Sequence, residues 1–339
     1  MHRIDLTAGA VLEKGCVYVI PLIEGLALPH GITAIANAKS STGRLDLLTR
    51  TITDGGTEFD RIPAGYAGPL YAEICPRSFS VLVRPGMRLN QIRFRDGQAV
   101  VSDADLTALH AAEPLVDGPA VIDEGLGFSV DLRPAAGTLV GYRAKPHTGV
   151  IDLDLLGHYE PSDYWEEVHS DQGRIILDPG AFYILVSREA VSIPPSYAAE
   201  MAPFLAMVGE FRVHYAGFFD PGFGHGVPAR GVLEVRCHEA PFVLEEPERR
   251  FVGNEKQPFI TEVFFAVVYP KSRWSDVQQL AAANAPSQNQ QVLDYLNSLT
   301  PPTDPFALPL EVPEGGGQHF VVYDPNSALL NPAVVIAVQ

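Results

Sequence analysis

Short runs of apolar, β-branched and aromatic residues recur along the chain, and turn-forming residues separate them. The 30 glycines and 29 prolines exceed average usage and divide the sequence into segments of about five residues. Short strands closed by turns at regular intervals are typical of a β-sandwich, a jelly roll or a barrel. The four clearest predicted strands lie at 16–20, 80–83, 182–186 and 232–235.

Helical periodicity is scarce before residue 270. A short helix is predicted within 103–114, which is rich in Ala and Asp. Two more helices are predicted at 275–284 and 288–299, with Pro286 interrupting them. Stretches rich in Pro and Gly at 300–305 and 315–317 then predict a tail made mainly of loops.

An internal repeat sets the domain organisation. Positions in one strand-like segment recur at a constant offset of 165 residues: Gly15, Tyr18, Glu24 and Pro29 match Gly180, Tyr183, Glu189 and Pro194. Four matches at one offset predict a duplicated β domain. We expect a first β domain at 1–105, a linker at 106–124, a second β domain at 125–270 and a helical and loop-rich extension at 271–339.

Composition and charge narrow the class of protein. With 41 acidic against 24 basic residues, the chain carries a formal charge of −17, which argues against a nucleic-acid polymer as partner. A small anion in a local basic pocket is compatible with this charge. No apolar run approaches the length of a membrane span, and charges near the N-terminus argue against a signal peptide.

The cysteines argue against covalent or metal cross-links. Cys16, Cys75 and Cys237 lie far apart and form no C-x-x-C pair, so neither a disulfide framework nor a structural zinc site is expected. We expect small buried thiols in the reducing cytoplasm.

The first candidate site is a phosphate motif in which two basic residues flank three hydroxyls and a glycine: Lys39, Ser40, Ser41, Thr42, Gly43 and Arg44. Hydroxyls and backbone N–H groups donate to phosphate oxygens, and an arginine offers bidentate contacts. The spacing is not that of a Walker loop. The alternative is an exposed helix or turn start with Ser40 as its N-cap.

The second candidate is a pair of glutamates within predicted strands. Glu73 and Glu234 each stand between apolar neighbours, and partial desolvation there would raise the carboxyl pKa towards that of a general base. The alternative is a solvated strand face, since strand alternation places Glu234 with Val232 and Arg236.

The third candidate is a hairpin at 213–223. Asp220, Pro221 and Gly222 form a strong turn signal between aromatic residues, and the backbone of such a hairpin can face a planar ligand. The alternative is an ordinary hairpin with a packed aromatic core.

Serine-elbow and zinc-helix motifs are absent from the sequence, as is the zinc signature of nucleobase deaminases.

Together these motifs resemble the dCTP deaminase family of the dUTPase-like superfamily, in a long two-repeat form. The segment from Lys39 to Leu45 resembles the family's phosphate motif, with lysine in the first place. The hairpin with Ala216 and Asp220, the Leu-Glu pair ending at Glu234 and the Arg-Pro-Gly-Met turn at 84–87 resemble three further family motifs, and 128–133 resembles its N-terminal strand.

The resemblance implies a zinc-free hydrolase that converts dCTP to dUTP and ammonia, with Mg²⁺ accompanying the triphosphate. It implies a glutamate, Glu234 or Glu73, that activates water for attack at C4 of the cytosine ring, while Ser40 and Arg44 orient the water and stabilise the intermediate. The implied substrate-binding residues are Lys39, Ser40, Ser41, Thr42, Gly43, Arg44, Ala216, Asp220, Val232 and Leu233.

The two repeats depart from the family pattern in complementary ways. The first keeps the phosphate motif and Glu73, but 53–58 inserts acidic residues in its hairpin; the second keeps the hairpin and Glu234, but 203–207 replaces the phosphate motif. Because family sites form between neighbouring subunits, we expect one composite site in a homo-oligomer of trimeric symmetry. A dUTPase-type pyrophosphatase and a non-catalytic nucleotide-binding or assembly protein are the alternatives.

Overall fold

The computed structural model describes residues 3–97, 100–123, 125–133, 137–202, 211–213, 217–237 and 240–245, together with two strands at 262–270 and 333–337. Within these residues the protein is built mainly from β-strands, as predicted, with three short helices. All four predicted strands are present, although the first begins at Tyr18 rather than at residue 16.

The first repeat forms a sandwich of two sheets. Its elements are β1 (Ala10–Leu12), β2 (Tyr18–Ala27), β3 (Ile32–Ala38), α1 (Ser40–Gly43), β4 (Leu47–Thr53), β5 (Arg61–Ile62), β6 (Ala67–Pro76), β7 (Val81–Val83) and β8 (Arg88–Asp96). One sheet has the order β2-β6-β4 and the other β21-β8-β3-β5, where β21 is Ala333–Ala337. Alternate residues of both sheets, such as Ile20 and Ile92, fill one core, because strand alternation turns one face inward.

The second repeat is a sandwich of the same kind. Its elements are α2 (Asp103–Ala112), β9 (Leu126–Ser129), β10 (Thr138–Ala144), β11 (Ile151–Asp152), α3 (Pro161–Tyr164), β12 (Trp165–Ser170), β13 (Arg174–Leu177), β14 (Phe182–Val191), β15 (Tyr197–Ala202), β16 (Phe211–Val213), β17 (Phe218–Phe219), β18 (Ala229–Cys237), β19 (Phe242–Glu245) and β20 (Glu262–Pro270). The sheets β12-β10-β14-β18-β16 and β17-β15-β20-β9 enclose a second core, and β13 pairs with β19.

The sheet register reproduces the internal repeat. β2 pairs with β6 so that Val19 lies opposite Glu73, and β14 pairs with β18 so that Ile184 lies opposite Glu234. Val19 and Ile184 differ by the same 165 residues as the sequence matches. Both strand pairs also shift register at corresponding points. The duplication predicted from the sequence is therefore confirmed.

The two repeats share an extensive contact. Strand β7 of the first repeat pairs in parallel with β11 of the second. The ring of Phe79 lies 5.8 Å from that of Tyr164 and 5.3 Å from that of Trp165, measured between centroids. Along β14, Phe182 enters the first core whereas Tyr183 enters the second. The main sheet of the second repeat therefore has its own core on one face and the first repeat on the other.

A linker was predicted at 106–124, but described residues of this segment belong to the second core. Leu106 on α2 and the following Leu115 and Val116 are all buried there. The predicted short helix is present as α2, and Ser102 caps it by accepting a hydrogen bond from the Asp105 N–H at 3.2 Å. The second repeat therefore begins at this helix, because its apolar side covers the sandwich.

The two helices predicted at 275–284 and 288–299 lie outside the described residues. None of the helices that the structure does describe is long and apolar enough to cross a membrane.

Cys75 and Cys237 are buried as expected, but Cys16 is exposed, because it lies in the turn that precedes β2.

Candidate active site

The phosphate motif forms a tight turn at the end of a core strand. Lys39 leaves β3 in an extended conformation, and its N–H donates to the Leu89 carbonyl at 2.9 Å. The four-residue helix α1 follows, and the N–H of Arg44 donates to the Ser40 carbonyl at 3.0 Å. Ser40, Ser41 and Arg44 are exposed. Two hydroxyls and a guanidinium are thus available to an anion on one short segment.

The remaining residues of this motif have other roles. The side chain of Thr42 and the backbone of Gly43 are buried, which anchors α1 to the sandwich. Burial lowers the pKa of Lys39, and the charge of Arg88 lowers it further. The Ser40 side chain is not the N-cap, because Lys39 occupies that position without a side-chain hydrogen bond.

Asp46 fixes the chain immediately after this motif. Its backbone has a φ of 54°, a left-handed conformation that Asp tolerates better than most residues. Its carboxylate is fully buried and accepts a hydrogen bond from the Ser78 hydroxyl at 2.6 Å. The same carboxylate forms an ion pair with Arg236 of the second repeat. A residue just after the phosphate motif therefore contacts the strand that carries Glu234.

Glu234 lies on the face of β18 that packs against the first repeat. Ile184, opposite Glu234, packs against the first core, and Phe182, opposite Arg236, is part of that core. Directly opposed residues of antiparallel strands share a face, so Glu234 and Arg236 both point towards the first repeat. Only 4% of the Glu234 surface is exposed. This carboxylate has little contact with bulk water, as a general base in an enclosed site requires.

Glu73 occupies the equivalent position in the first repeat but has different surroundings. It forms an ion pair with Arg50 on the neighbouring strand, and the Arg50 guanidinium lies 3.8 Å from the centroid of the Phe59 ring. Val19, opposite Glu73, is 55% exposed. The described part of the chain leaves this sheet face open to solvent, whereas the same face in the second repeat is covered.

Asp60, which lies near Arg50, gives the first repeat a pH-dependent stability. Its carboxylate accepts a hydrogen bond from the Thr51 N–H at 2.7 Å. Burial raises the Asp60 pKa to about 7, against the opposing effects of this hydrogen bond and of Arg50. The folded protein therefore holds this proton more tightly than the unfolded chain does. The resulting stability is complete below about pH 4 and is lost as the pH rises through 7.

Asp60→Asn should remove this pH dependence, because the amide keeps the acceptor oxygen but does not ionise. The free energy of unfolding of the variant, minus that of wild type, should rise by roughly 2 to 4 kcal/mol from pH 4 to pH 8. Urea titrations at both pH values measure this gain. If the difference in unfolding free energy between variant and wild type is the same at pH 4 and pH 8, Asp60 does not titrate in this range.

The hairpin of the second repeat is held by an arginine of the first. Strand β17 ends at Phe219, and the N–H of Phe223 donates to the Asp220 carbonyl at 2.9 Å, closing the predicted Asp-Pro-Gly turn. The Asp220 carboxylate forms an ion pair of 2.7 Å with Arg93 of β8. Arg93 also donates to the Ala199 carbonyl at 2.9 Å, and its guanidinium lies 3.7 Å from the Phe218 ring centroid.

Burial governs the electrostatics of this pair. It raises the pKa of Asp220, while the charge of Arg93 and its hydrogen bond act in the opposite direction. Burial also lowers the pKa of Arg93 to about 10, against the effect of Asp220. Burial therefore disfavours the charged form of both groups, and each charge stabilises the other. Asp220 thus orients the hairpin through Arg93 in addition to any contact with a ligand.

Three other residues were predicted to bind the substrate: Ala216, Val232 and Leu233. Ala216 is outside the described residues. Val232 is partly exposed, whereas the Leu233 side chain lies in the second core, on the opposite face of β18 from Glu234. Sequence reasoning missed Asp46, Arg93 and Arg236. The available signal was an arginine within an apolar strand, as in Ile92-Arg93-Phe94 and Val235-Arg236-Cys237.

Comparison with protein families matches both repeats. Residues 1–98 match the model of the 2'-deoxycytidine 5'-triphosphate deaminase N-terminal domain, and residues 102–253 match that of the C-terminal domain. A dCTP deaminase, dUMP-forming, from Methanothermobacter thermautotrophicus is 31% identical over 147 residues, which are 40% of this chain and 68% of that protein. The chain belongs to the dCTP deaminase family.

A solved structure of the dCTP deaminase family has the same fold. The 2'-deoxycytidine 5'-triphosphate deaminase from Agrobacterium tumefaciens superposes with a TM-score of 0.72 and 51% sequence identity. The match covers 80% of this chain and 79% of that one. It therefore extends beyond either repeat alone, so the two-repeat architecture is itself a form of the dCTP deaminase family.

Proposed function

We propose that this chain deaminates dCTP to dUTP and ammonia at a composite site between its repeats. The observation that carries the proposal is the Asp46–Arg236 ion pair. It brings the strand of Glu234 to the segment that holds the phosphate motif. The first repeat supplies Lys39, Ser40, Ser41 and Arg44 for the triphosphate, and the second supplies Ala216, Asp220 and Glu234 for the base.

In this mechanism the Glu234 carboxylate takes a proton from water while the hydroxide adds to C4 of the cytosine ring. The glutamic acid then returns the proton to the amino group, and the C4–N bond breaks to release ammonia. The proton of the C4 hydroxyl moves to N3, which gives the uracil ring. Ser40 and Arg44 orient the water and stabilise the charge of the tetrahedral intermediate. One water is consumed, and dUTP and one ammonia leave. The low exposure of Glu234 supports its role as the base.

We propose that Mg²⁺ reaches the site with the nucleotide, where it neutralises triphosphate oxygens. The described residues contain no cluster of three or more His, Cys, Asp and Glu side chains suited to a metal ion. In this proposal the ion belongs to the substrate, and the Glu234 carboxylate activates the water. A cytoplasmic location belongs to the same proposal, and it is supported by the buried thiols of Cys75 and Cys237, which are not joined in a disulfide.

The test is incubation of the purified protein with dCTP and Mg²⁺, alongside a panel of other deoxynucleotides. Release of ammonia with dUTP as the other product is the expected result. Pyrophosphate release without ammonia would indicate a dUTPase-type pyrophosphatase. Release of both products would indicate the dUMP-forming reaction that the Methanothermobacter relative is named for, and would overturn dUTP as the final product. Nucleotide binding with neither product would instead indicate a non-catalytic protein and would overturn the proposed deamination.

We also propose that the chain forms a homo-oligomer of trimeric symmetry. The open face of the first repeat supports this, because it exposes Val17 and Val19 by 61% and 55%. The equivalent Phe182 and Ile184 pack against the other repeat. Light scattering should then give three times the chain mass of 36.7 kDa, and a monomer mass would contradict this assembly.

A further inference from the structure

We propose that Arg236 is a positioning residue for the deamination. Through its buried ion pair with Asp46, Arg236 sets where the strand of Glu234 lies relative to the phosphate motif. This proposal rests on the proposed function, since it concerns how the two halves of the composite site are aligned. It assigns a role to two residues that do not themselves contact the substrate.

The contacts of Arg236 join the two repeats at one point. Its Nη2 pairs with the Asp46 carboxylate and donates to the Ser78 hydroxyl at 3.2 Å, and its Nε donates to Asp46 at 3.4 Å. Its Nη1 donates to the Gly180 carbonyl, just before β14. The side chains of Arg236 and Asp46 are 7% and 0% exposed. Because its donors form a rigid planar fork, a guanidinium that is bound on both sides fixes both the distance and the relative orientation of the two segments that it joins.

The ion pair lies close to both halves of the site. Arg236 follows Glu234 by two residues on the same strand face, so their Cα atoms are about 7 Å apart. Asp46 likewise follows Arg44 by two residues, and its left-handed φ of 54° is held by the buried contacts of its carboxylate. A non-glycine residue kept in this conformation at a functional segment is consistent with a geometric role.

The first repeat lacks the corresponding arginine. Since Glu73 is equivalent to Glu234, Cys75 occupies the place of Arg236. The sheet face carrying Glu73 is also the one that exposes Val19. The arginine therefore accompanies the glutamate that faces the other repeat. This difference links the ion pair to the composite site rather than to the fold that both repeats share.

The double variant Asp46→Asn/Arg236→Met tests the role without leaving a buried charge unpaired. Neutral replacement of a buried ion pair is often tolerated in stability, and Asn suits the left-handed backbone while still accepting from Ser78. We expect a thermal midpoint near that of wild type. At saturating dCTP, kcat should fall about 100-fold, because a misplacement of about 1 Å costs that much. KM should change less than about 3-fold, since the phosphate motif is intact.

A second inter-repeat pair provides the matched control. Arg84 binds both carboxylate oxygens of Asp152 at 2.7 and 2.8 Å, where β7 meets β11. Arg84→Met/Asp152→Asn should leave kcat within about 2-fold of wild type.

Arg236→Lys, which keeps one charged contact, should retain at least about 10-fold more activity than Asp46→Asn/Arg236→Met. Wild-type kcat in Asp46→Asn/Arg236→Met, or an equal loss in the control, would overturn the positioning role.

A second measurement separates this proposal from the proposed function. If the wild-type protein releases no ammonia from dCTP, the proposed deamination fails. Hydrogen exchange then still tests the coupling, because it needs no turnover. Amides of 231–237 and 40–47 should exchange faster in Asp46→Asn/Arg236→Met, whereas Arg84→Met/Asp152→Asn should leave them unchanged. Identical exchange in both double variants would show that Arg236 does not align these segments.

Discussion

Glu234→Gln should reduce ammonia release from dCTP by about 10³-fold, whereas Glu73→Gln should leave most of the activity. The amide of glutamine is isosteric with the carboxylate but cannot accept a proton from water. Glu234 lies on the buried face between the repeats, where a substrate would be enclosed. Initial rates at saturating dCTP measure the effect, and nucleotide binding by the inactive variant shows that its site remains folded.

The Glu73 variant is the matched control for this experiment, since the two glutamates have the same strand register. Glu73→Gln removes a partly exposed ion pair with Arg50, which costs about 1 kcal/mol of stability or less. Assays well below the thermal midpoint therefore compare chemistry alone. Equal losses from Glu73→Gln and Glu234→Gln would contradict the composite assignment, as would a loss confined to Glu73→Gln.

Arg93→Met should destabilise the protein by about 2 to 4 kcal/mol, because it removes a buried guanidinium and leaves the partly buried Asp220 carboxylate without its charged partner. It also removes the donor to the Ala199 carbonyl and the contact with the Phe218 ring. The double variant Arg93→Met/Asp220→Asn should recover most of this loss, since no unpaired charge remains. Urea unfolding at pH 7 followed by tryptophan fluorescence measures both variants.

An exposed ion pair serves as the comparison for Arg93. Arg61 pairs with Glu58 while their side chains are 74% and 62% exposed, so Arg61→Met should change the free energy of unfolding by less than about 1 kcal/mol. If Arg93→Met had an equally small effect, the buried contact between β8 and the hairpin would not be a major source of stability. The account of how the first repeat orients the hairpin would then be wrong.

Local pattern was sufficient to predict much of the fold. Runs of apolar, β-branched and aromatic residues predicted the strands around Tyr183 and Leu233, and the constant offset from Tyr18 to Tyr183 predicted the duplication. The stretch rich in Ala and Asp at 103–114 predicted α2. These features depend on neighbours in sequence, so they are visible without knowing which segments meet in space.

The contacts between repeats could not be predicted in the same way. Asp46 and Arg236 are 190 residues apart, and no local pattern indicates that they meet. Glu73 and Glu234 have similar local sequences, yet only tertiary packing decides that one face is open and the other covered. Composition predicts a linker at 106–124, but Leu115 has its partners in the second core.

The most direct test of the composite site is a crystal structure of Glu234→Gln with dCTP and Mg²⁺. We expect triphosphate oxygens within hydrogen-bond distance of Ser40, Ser41 and Arg44 of the first repeat. C4 of the same nucleotide should lie within about 4 Å of the residue 234 side chain, with room for one water. A cytosine ring placed beside Glu73, or phosphates held away from Arg44, would show that the two repeats do not share one site.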